Sequence, residues 1–357
     1  MKNVLEIGSE FWNNQYSSVS RQVLKFGKRK KGFLCGRTAL DYIICDAKHT
    51  IGFSAVLLPS YCCHTMIEPF VKKGIKVRFY SVVIGKGGLE CHLPTPKDDE
   101  ALYLMTYFGF GQINIYNHQQ ISQWKFCILD ETHSCFSDYI VPYSEWNIKY
   151  SYISYRKWAD IKGLAIAEKI EDDFQLTFIQ KRHTRYFEKK NEACTKKQAY
   201  IESGIGEKVS FLELFEEAEE LLETDYEGYI FLEEGVKAYE YLDINKVKEK
   251  RRENAGYLLE RLSEIKEIQL LYSSIDNGCP LFVPILVKNG LRNNLRAYLI
   301  DNEIYCPIHW PISEFHSLHS LEQDIYIQEL SIICDQRYSL SDMQRIVDCI
   351  LGFFECK

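Results

Sequence analysis

The sequence predicts an α/β protein in which a mostly parallel central sheet builds a large domain and a smaller α+β domain follows. Two observations lead to this prediction. The first two thirds of the chain alternate short apolar runs with helix-like stretches, a pattern typical of a parallel sheet covered on both faces. The 357 residues also exceed the length at which one hydrophobic core usually keeps growing. We therefore predict a large domain over residues 1–245 and a small C-terminal domain over residues 246–357.

Apolar runs and helical spacing place the individual elements. The predicted strands are Ala55–Leu58, Val77–Tyr80, Ala101–Met105, Phe126–Leu129, Tyr152–Ile153, Leu164–Ala167, Ile268–Tyr272 and Leu281–Val287. The predicted helices cover residues 62–73, 211–222, 246–262 and 342–353, and a further helix begins near Thr38. In the helix over 211–222 we expect Leu212, Phe215 and Leu222 to form the apolar stripe.

Composition argues against several classes of protein. A net charge of −7 disfavours sequence-independent nucleic-acid binding, which relies on Lys and Arg meeting phosphates. No stretch approaches the ~18 apolar residues of a membrane span, and no signal-peptide run opens the sequence, so we expect a cytoplasmic protein. The 13 cysteines include no CxxC pair and no zinc-like spacing, which predicts reduced thiols and no metal site. The basic run Lys28-Arg29-Lys30-Lys31 is either a solvated loop before a strand or a landing patch for an anionic ligand.

An aspartate and a lysine each follow a predicted strand. Asp130 comes directly after Leu129, and ligands of open α/β sheets collect beyond the carboxyl ends of strands. The alternative for Asp130 is a helix N-cap. Lys157 comes shortly after Ile153, where partial burial disfavours the ammonium form and makes an amine nucleophile available. The alternative for Lys157 is an ordinary surface lysine.

The segment Gly36-Arg37-Thr38-Ala39 is a glycine turn that leads into a helix. Free N–H groups at a helix N-terminus attract phosphate, although Thr38 is also a common N-cap residue. A helix start, an aspartate and a lysine then follow in order, separated by 92 and 27 residues. A pyridoxal 5'-phosphate (PLP) site requires a phosphate cup, a carboxylate for the pyridine nitrogen and a lysine that links the cofactor. The order and spacing therefore favour a PLP site.

Longer segments carry a resemblance to a known family. They are FLCGRTAL (33–40), VLLPSYCCHTMIEPF (56–70), CILDETHS (127–134), SYRKWADIKG (154–163), RRENAGYLLERL (251–262), CPIHWPIS (306–313) and DQRYSLSDMQRI (335–346). With these segments the chain resembles the DegT/StrS-type aminotransferases, which have the aspartate-aminotransferase-like fold. The resemblance covers nearly the whole chain, and it implies the PLP-transferase fold type I.

The resemblance implies cofactor contacts. Lys157 matches the Schiff-base lysine, Asp130 the acid at the pyridine nitrogen and His133 the residue near the ring hydroxyl. The cofactor phosphate is expected at Gly36, Arg37, Thr38, Ala39 and Ser154, with Thr38 and Ala39 at the positions that match the family.

The resemblance also implies residues around the cofactor ring and the substrate. Cys63 falls where the family places a ring-stacking residue, and Tyr61 and His64 lie beside it in the sequence. His309 and Trp310 fall where the small domain commonly returns to the active-site cleft. We predict substrate contacts for Tyr61, His64, His309 and Trp310.

By this resemblance the protein is a homodimeric PLP-dependent aminotransferase. The expected amino donor is an amino acid, glutamate above all, and the expected acceptor is a nucleotide-linked keto-sugar of surface polysaccharide or secondary metabolite biosynthesis. A PLP-dependent sugar dehydratase is the first alternative, disfavoured because those members replace the lysine by histidine. A catalytically inactive binding or assembly protein is the second, because the stretch after Lys157 departs from the family pattern. A dinucleotide-binding protein is disfavoured because Gly109-Phe110-Gly111 lacks the third glycine of that motif.

Overall fold

The computed structural model describes residues 6–14, 16–111, 116, 118–177 and 181–355. Its strands are β1 Ile7–Gly8, β2 Lys30–Phe33, β3 Ala55–Pro59, β4 Lys76–Gly85, β5 Gly88–His92, β6 Glu100–Met105, β7 Cys127–Asp130, β8 Ile148–Ser154, β9 Ala165–Lys169, β10 Ile268–Leu270, β11 Val283–Val287, β12 Ile304–Tyr305 and β13 Glu329–Ile332. Its helices are α1 Gly36–Thr50, α2 His64–Lys72, α3 His118–Ile121, α4 Thr184–Ser203, α5 Lys208–Thr224, α6 Glu233–Glu240, α7 Ile244–Leu262, α8 Arg292–Asp301, α9 Ser320–Gln328 and α10 Leu340–Glu355, with a 3-10 turn at Tyr155–Lys157.

Each predicted strand and helix is present, with its ends shifted by a few residues. One predicted side-chain position is wrong. Leu212 is 43% exposed, because the buried stripe of α5 runs instead through Phe211, Leu214, Phe215, Ala218 and Leu222. Those positions recur every three or four residues, and Leu212 lies about 100° away from Phe211 around the helix axis.

The described residues form two compact units. The first unit contains Glu6, Glu10–Gly52 and Tyr150–Asp243, and the second contains Ile7–Ser9, Phe53–Lys149 and the residues from Ile244 onward. Both units therefore use segments from distant parts of the chain. The boundary of the two predicted domains at residues 245 and 246 stays a prediction.

In the first unit, β2 and β8 lie on either side of β9 in antiparallel pairing. Phe33 and Ser154 both pair with Ala165, so the C-terminal ends of β2 and β8 lie at the same edge. Asp46 of α1 has no exposed surface and accepts hydrogen bonds from Lys169 Nζ and the Tyr150 hydroxyl, each at 2.9 Å. These bonds fix α1 against the two strands.

The antiparallel helices of the first unit, α4 and α5, pack closely on each other. Trp12, Ala193, Cys194, Phe211, Leu214 and Phe215 form one core cluster there. Helix α4 has no clear apolar stripe in the sequence, since its buried face includes Lys190 and Lys197. Lys190 pairs with Glu219 at 2.9 Å, and Lys197 pairs with Glu6 at 2.9 Å. The attraction of these carboxylates offsets the free-energy cost of removing the two ammonium groups from water.

In the second unit, β7, β6, β3 and β4 are neighbours in that order, and all of these pairings are parallel. Strand β5 adds an antiparallel edge by pairing with β4. A separate sheet has the order β10-β11-β13 and is antiparallel throughout. The predicted mostly parallel sheet is present, and the separate C-terminal α+β domain stays a prediction.

Gly109 occupies a close approach between two backbone segments of the second unit. Its φ is +77°, and a Cβ there would lie 2.1 Å from the carbonyl oxygen of Cys279. Only glycine fits such a position, because any side chain would collide with that carbonyl. The glycines at 109 and 111 thus serve chain packing.

The basic run over residues 28–31 is largely paired with carboxylates. Lys30 lies 2.9 Å from Glu168, and Arg29 lies 3.6 Å from Asp173. The strand begins at Lys30, so half of the run lies in β2 and half in the preceding loop.

Among the described residues the cysteines are free thiols, and no helix combines the length and apolar character that crossing a bilayer requires.

Candidate functional site

The start of α1 lies against the end of β8 in the first unit. A Cβ built on Gly36 would come 3.1 Å from Cβ of Ser154, which is tighter than most real Cβ contacts, and 3.6 Å from its Oγ, which is an ordinary van der Waals distance. The absence of a side chain at Gly36 thus lets the helix start approach the serine hydroxyl. The structure brings these two predicted phosphate-binding residues together, and their role stays a prediction.

Helix α1 begins without a side-chain cap. Its N-cap residue is Cys35, which makes no side-chain cap hydrogen bond, and the first turn contains no acidic residue. Thr38 is the third residue of the helix, so its N-cap alternative is wrong, and its hydroxyl donates to the Tyr226 carbonyl at 2.7 Å. The N–H groups of the first turn and the helix dipole therefore leave this end suited to an anion.

Two further residues of the first turn have defined surroundings. The guanidinium of Arg37 pairs with Glu223 at 2.7 Å and lies over the Tyr226 ring. Ala39 is buried, and its N–H donates to the Cys35 carbonyl at 3.1 Å. The arginine side chain thus serves to hold α1 on α5, while a phosphate contact from its backbone N–H stays a prediction.

Lys157 is the last residue of the 3-10 turn after β8 and is partly buried. Its neighbour Arg156 donates two hydrogen bonds to Glu219 at 2.7 and 2.9 Å, and Trp158 on its other side is fully buried. These contacts fix the backbone of the turn on both sides of the lysine. Ser154 and Lys157 are three residues apart, so the helix start, the serine and the lysine belong to one part of the first unit.

Asp130 is the last residue of β7 in the second unit and is 2% exposed. Its Oδ1 accepts the Thr132 N–H at 2.8 Å, and its Oδ2 accepts the Tyr103 hydroxyl at 2.9 Å. Turns follow Asp130, and no α-helix begins there, so the N-cap alternative is wrong. A buried carboxylate that accepts on both oxygens has a fixed orientation.

His133, His309 and Trp310 meet in the second unit. The His133 ring centroid lies 5.6 Å from that of Trp310 and 5.7 Å from that of His309. The Phe108 N–H donates to Nδ1 of His133 at 3.3 Å, which places the proton of a neutral imidazole on Nε2. These three predicted site residues are therefore together, and each is at least nine-tenths buried.

Tyr61 has no exposed surface and lies among other aromatic rings. Its ring centroid is 5.0 Å from that of Trp310, 5.1 Å from that of Tyr326 and 5.7 Å from that of Tyr107. Burial raises the pKa of Tyr61 well above its usual value, so its hydroxyl stays protonated. The ring thus helps to hold Trp310 in place, and its predicted substrate contact stays a prediction.

Cys63 and His64 stand where α2 begins. Cys63 is the N-cap and His64 the first residue of α2, and both are partly exposed. Their side chains approach each other, with Sγ of Cys63 3.8 Å from Nδ1 of His64. Both side chains reach the surface in part, and the ring-stacking role of Cys63 stays a prediction.

Sequence reasoning missed the residues that orient the predicted site. Tyr103 holds Asp130, the Tyr226 carbonyl holds Thr38, and Glu329 and Ser331 hold His309. Tyr103 lies inside an apolar strand, where a tyrosine is an ordinary core residue. Glu329 opens a buried strand and breaks its apolar pattern, which is the one sequence feature that marks it.

No protein-family model and no curated protein sequence matches this chain. Solved structures match it over most of its length. PseC of Helicobacter pylori, an aminotransferase involved in the biosynthesis of pseudoaminic acid, is 11% identical over 96% of this chain and 100% of its own, with a TM-score of 0.60. A sugar aminotransferase from Micromonospora echinospora is 14% identical, covering 90% and 86%, with a TM-score of 0.60. The E. coli GDP-4-keto-6-deoxy-D-mannose-3-dehydratase with bound hydrated PLP is 14% identical, covering 90% and 87%, with a TM-score of 0.63. The predicted PLP-transferase fold is confirmed by these similarities.

Proposed function

We propose that this chain is a PLP-dependent aminotransferase that moves an amino group from an amino acid, glutamate above all, to a nucleotide-linked keto-sugar. The fold supports this proposal, since the chain is similar to structures described as sugar aminotransferases. A shared fold leaves function open, so the proposal depends on the site residues themselves.

The observation that carries the proposal is the arrangement in the first unit. The N-terminus of α1, which has no side-chain cap, lies against Ser154 at the end of β8, and Lys157 follows three residues later at the end of the 3-10 turn. A phosphate group fits between the start of α1 and Ser154, because backbone N–H donors and a hydroxyl are the groups that bind phosphate. An aldehyde fits at Lys157, because a partly buried primary amine is the group that forms an imine with an aldehyde.

Each residue then has a stated task. The N–H groups of α1 and the Ser154 hydroxyl bind the cofactor phosphate. Asp130 accepts a charge-assisted hydrogen bond from the pyridine nitrogen and keeps it protonated. When bound, PLP supplies a sink for the electron pair released from the substrate Cα–H bond. Lys157 Nζ would take the proton from that carbon as a base and then, as an acid, pass it to the cofactor carbon that keeps the nitrogen.

The acceptor, the partners and the oligomer are parts of the same proposal. Similar structures described as sugar aminotransferases support a keto-sugar acceptor, and the predicted cytoplasmic homodimer agrees with it. The dehydratase alternative has its own support in one similar structure, whose described activity is a sugar dehydration. Lys157 favours amino transfer, since the dehydratases of this family carry histidine at that position.

The donor half-reaction tests the proposal before the acceptor is known. Protein loaded with PLP is mixed with glutamate, and we expect one equivalent of 2-oxoglutarate per chain and a change in the visible absorption of the cofactor. Lys157→Arg removes this conversion, whereas Lys162→Arg, which changes a lysine paired with Asp160 at 2.7 Å, retains it. Conversion by the Lys157→Arg variant at the wild-type rate contradicts the proposal.

Acceptors are then screened with the aminated cofactor. Keto-sugar nucleotides restore the starting spectrum if the proposed substrate class is right. If only small keto acids restore the spectrum, the acceptor is a keto acid and the proposed substrate class is wrong. Loss of a sugar hydroxyl without nitrogen transfer favours the dehydratase. A protein that never takes up PLP is the binding or assembly protein of the second alternative.

A further inference from the structure

His309 is attached to β13 by a buried hydrogen-bond chain. Its Nδ1 lies 2.8 Å from Oγ of Ser331, and that hydroxyl lies 2.5 Å from Oε1 of Glu329. The second carboxyl oxygen, Oε2, accepts the backbone N–H of His309 at 2.8 Å. Glu329 and Ser331 have no exposed surface, and His309 is 7% exposed.

The local backbone explains why these three side chains meet. Glu329 and Ser331 are two residues apart in β13, and alternate residues of a strand point to the same face. The Ser331 N–H donates to the Pro307 carbonyl at 3.0 Å, which brings the loop of His309 alongside the strand. The chain Glu329–Ser331–His309 is therefore built by the fold and needs no ligand to form.

The chain has two proton arrangements. When Glu329 is ionised, Ser331 donates to the carboxylate and accepts from Nδ1–H of His309, so Nε2 carries a lone pair. When Glu329 is protonated, its hydroxyl donates to Ser331, and Ser331 donates to Nδ1, so the imidazole proton is on Nε2. The imidazole is neutral in both arrangements.

The surroundings of Glu329 favour the protonated arrangement near neutral pH. Burial raises its pKa to about 8, against hydrogen bonds from Ser331 and His309 that lower it. Arg292 of α8 is the cation facing it, and that guanidinium donates to the backbone carbonyl of Glu329 at 2.8 Å. Nδ1 of His309 lies 3.9 Å from Oε1 of Glu329. Tyr61 and Cys306 also interact with Glu329, and burial raises the pKa of both.

We propose that Glu329 and Ser331 are positioning residues that set which nitrogen of His309 carries the proton, so that the imidazole offers an Nε2–H donor to an oxygen of the substrate. This use at the substrate rests on the proposed function, whereas the setting of the tautomer does not. As an amine adds to a keto carbon, the electron pair of the broken C=O π bond moves to the oxygen, which accepts the Nε2 proton. The Nε2 proton leaves, the Ser331 proton moves to Nδ1, the Glu329 proton moves to Ser331, and Glu329 becomes the anion.

Nitrogen NMR of histidine in the protein without cofactor tests the tautomer directly. Protein labelled with ¹⁵N-histidine is titrated from about pH 6 to about pH 10, and the His309 signals are assigned by their loss in His309→Gln. We expect the proton of His309 to be on Nε2 at the acidic end and to move to Nδ1 as Glu329 ionises. Glu329→Gln keeps the donor to Ser331 and holds the proton on Nε2 across the range.

A second variant and an internal control complete the test. Ser331→Ala breaks the chain with little change of volume, and we expect the pH-dependent change of the His309 tautomer to disappear. His316, which contacts the Cys62 carbonyl and the Tyr326 hydroxyl, has the same spectrum in wild type and both variants. A His309 tautomer that is constant with pH in the wild type, or that changes alike in all three proteins, overturns the proposal. Because no cofactor is present, that result is independent of aminotransferase activity.

Discussion

The hydroxyl of Tyr103 donates a hydrogen bond of 2.9 Å to Oδ2 of Asp130, and both residues are buried. Tyr103 belongs to β6 and Asp130 to the parallel neighbour β7, so the bond crosses two adjacent strands. It leaves the carboxylate with one fixed orientation at the end of the sheet. The proposed role of Asp130 depends on this orientation.

Tyr103→Phe removes this donor and keeps the ring. Hydrogen bonds to charged groups contribute about 1.5–3 kcal/mol, so we expect the free energy of unfolding in urea to fall by about 2 kcal/mol. Tyr143→Phe is the matched control, because it removes a donor to the more exposed carboxylate of Glu131. An equal decrease in the free energy of unfolding in the two variants would show that the bond to Asp130 stabilises the fold no more than the bond to Glu131 does.

Asp46→Asn tests what holds α1 in place. Burial alone raises the pKa of Asp46, but hydrogen bonds from Lys169, Tyr150 and the N–H groups of Gln175 and Leu176 lower it overall. The stabilisation is thus present above the ordinary pKa of an aspartate and is lost as the pH falls below it. Breaking a buried ion pair costs about 3–5 kcal/mol, and urea unfolding at neutral pH measures this loss. A loss of less than about 1 kcal/mol contradicts the anchoring role.

Gly36→Ala tests the phosphate cup. The new Cβ meets Ser154 at 3.1 Å and pushes the helix start away from the serine hydroxyl. We expect the affinity of the cofactor-free protein for PLP to fall on the order of tenfold, or about 1.4 kcal/mol, in an equilibrium titration. Gly256→Ala in α7 is the control, since nothing lies within 4 Å of its Cβ, and its affinity should equal that of the wild type. Equal affinities in all three proteins would remove Gly36 from the cup.

Glu329→Gln changes how stability depends on pH. The folded-state pKa of Glu329, about 8, exceeds its ordinary value of 4.5, so the folded protein binds this proton more tightly than the unfolded chain does. The contribution of Glu329 to stability is therefore fully present below its ordinary pKa and is lost as the pH rises toward 8. One pKa unit is about 1.4 kcal/mol, so the variant gains a few kcal/mol on the wild type between about pH 5 and pH 8. Parallel stability curves for the two proteins would mean that Glu329 is not a protonated group in the folded state.

The sequence predicted the strands and helices that have a clear period. It missed α4, whose buried face carries Lys190 and Lys197, because the partners that neutralise them, Glu219 and Glu6, lie far away in the chain. It also wrongly placed Leu212 on the buried face of α5. The sequence of an amphipathic helix does not show which of its apolar residues are buried until the neighbouring helix is known. Local pattern thus identifies elements, and long-range pairing decides which polar residues they bury.

The candidate site shows the same division. A strand-end aspartate and a glycine turn before a helix are local features, and the sequence identified Asp130 and Gly36. The groups that orient them are Tyr103 from β6 and Ser154 from β8, which only the sheet brings near. Glu329 and Ser331 lie 20 or more residues after His309, and no spacing rule connects a buried carboxyl to a distant imidazole.

Reductive trapping of PLP identifies the lysine that binds the cofactor aldehyde. The cofactor-free protein is mixed with PLP and reduced with borohydride, and the modified peptide is identified by mass spectrometry. We expect one phosphopyridoxyl group per chain, on Lys157, with none in Lys157→Arg and an unchanged yield in Lys162→Arg. Labelling on other lysines alone, or equal labelling of Lys157→Arg and wild type, would contradict this expectation.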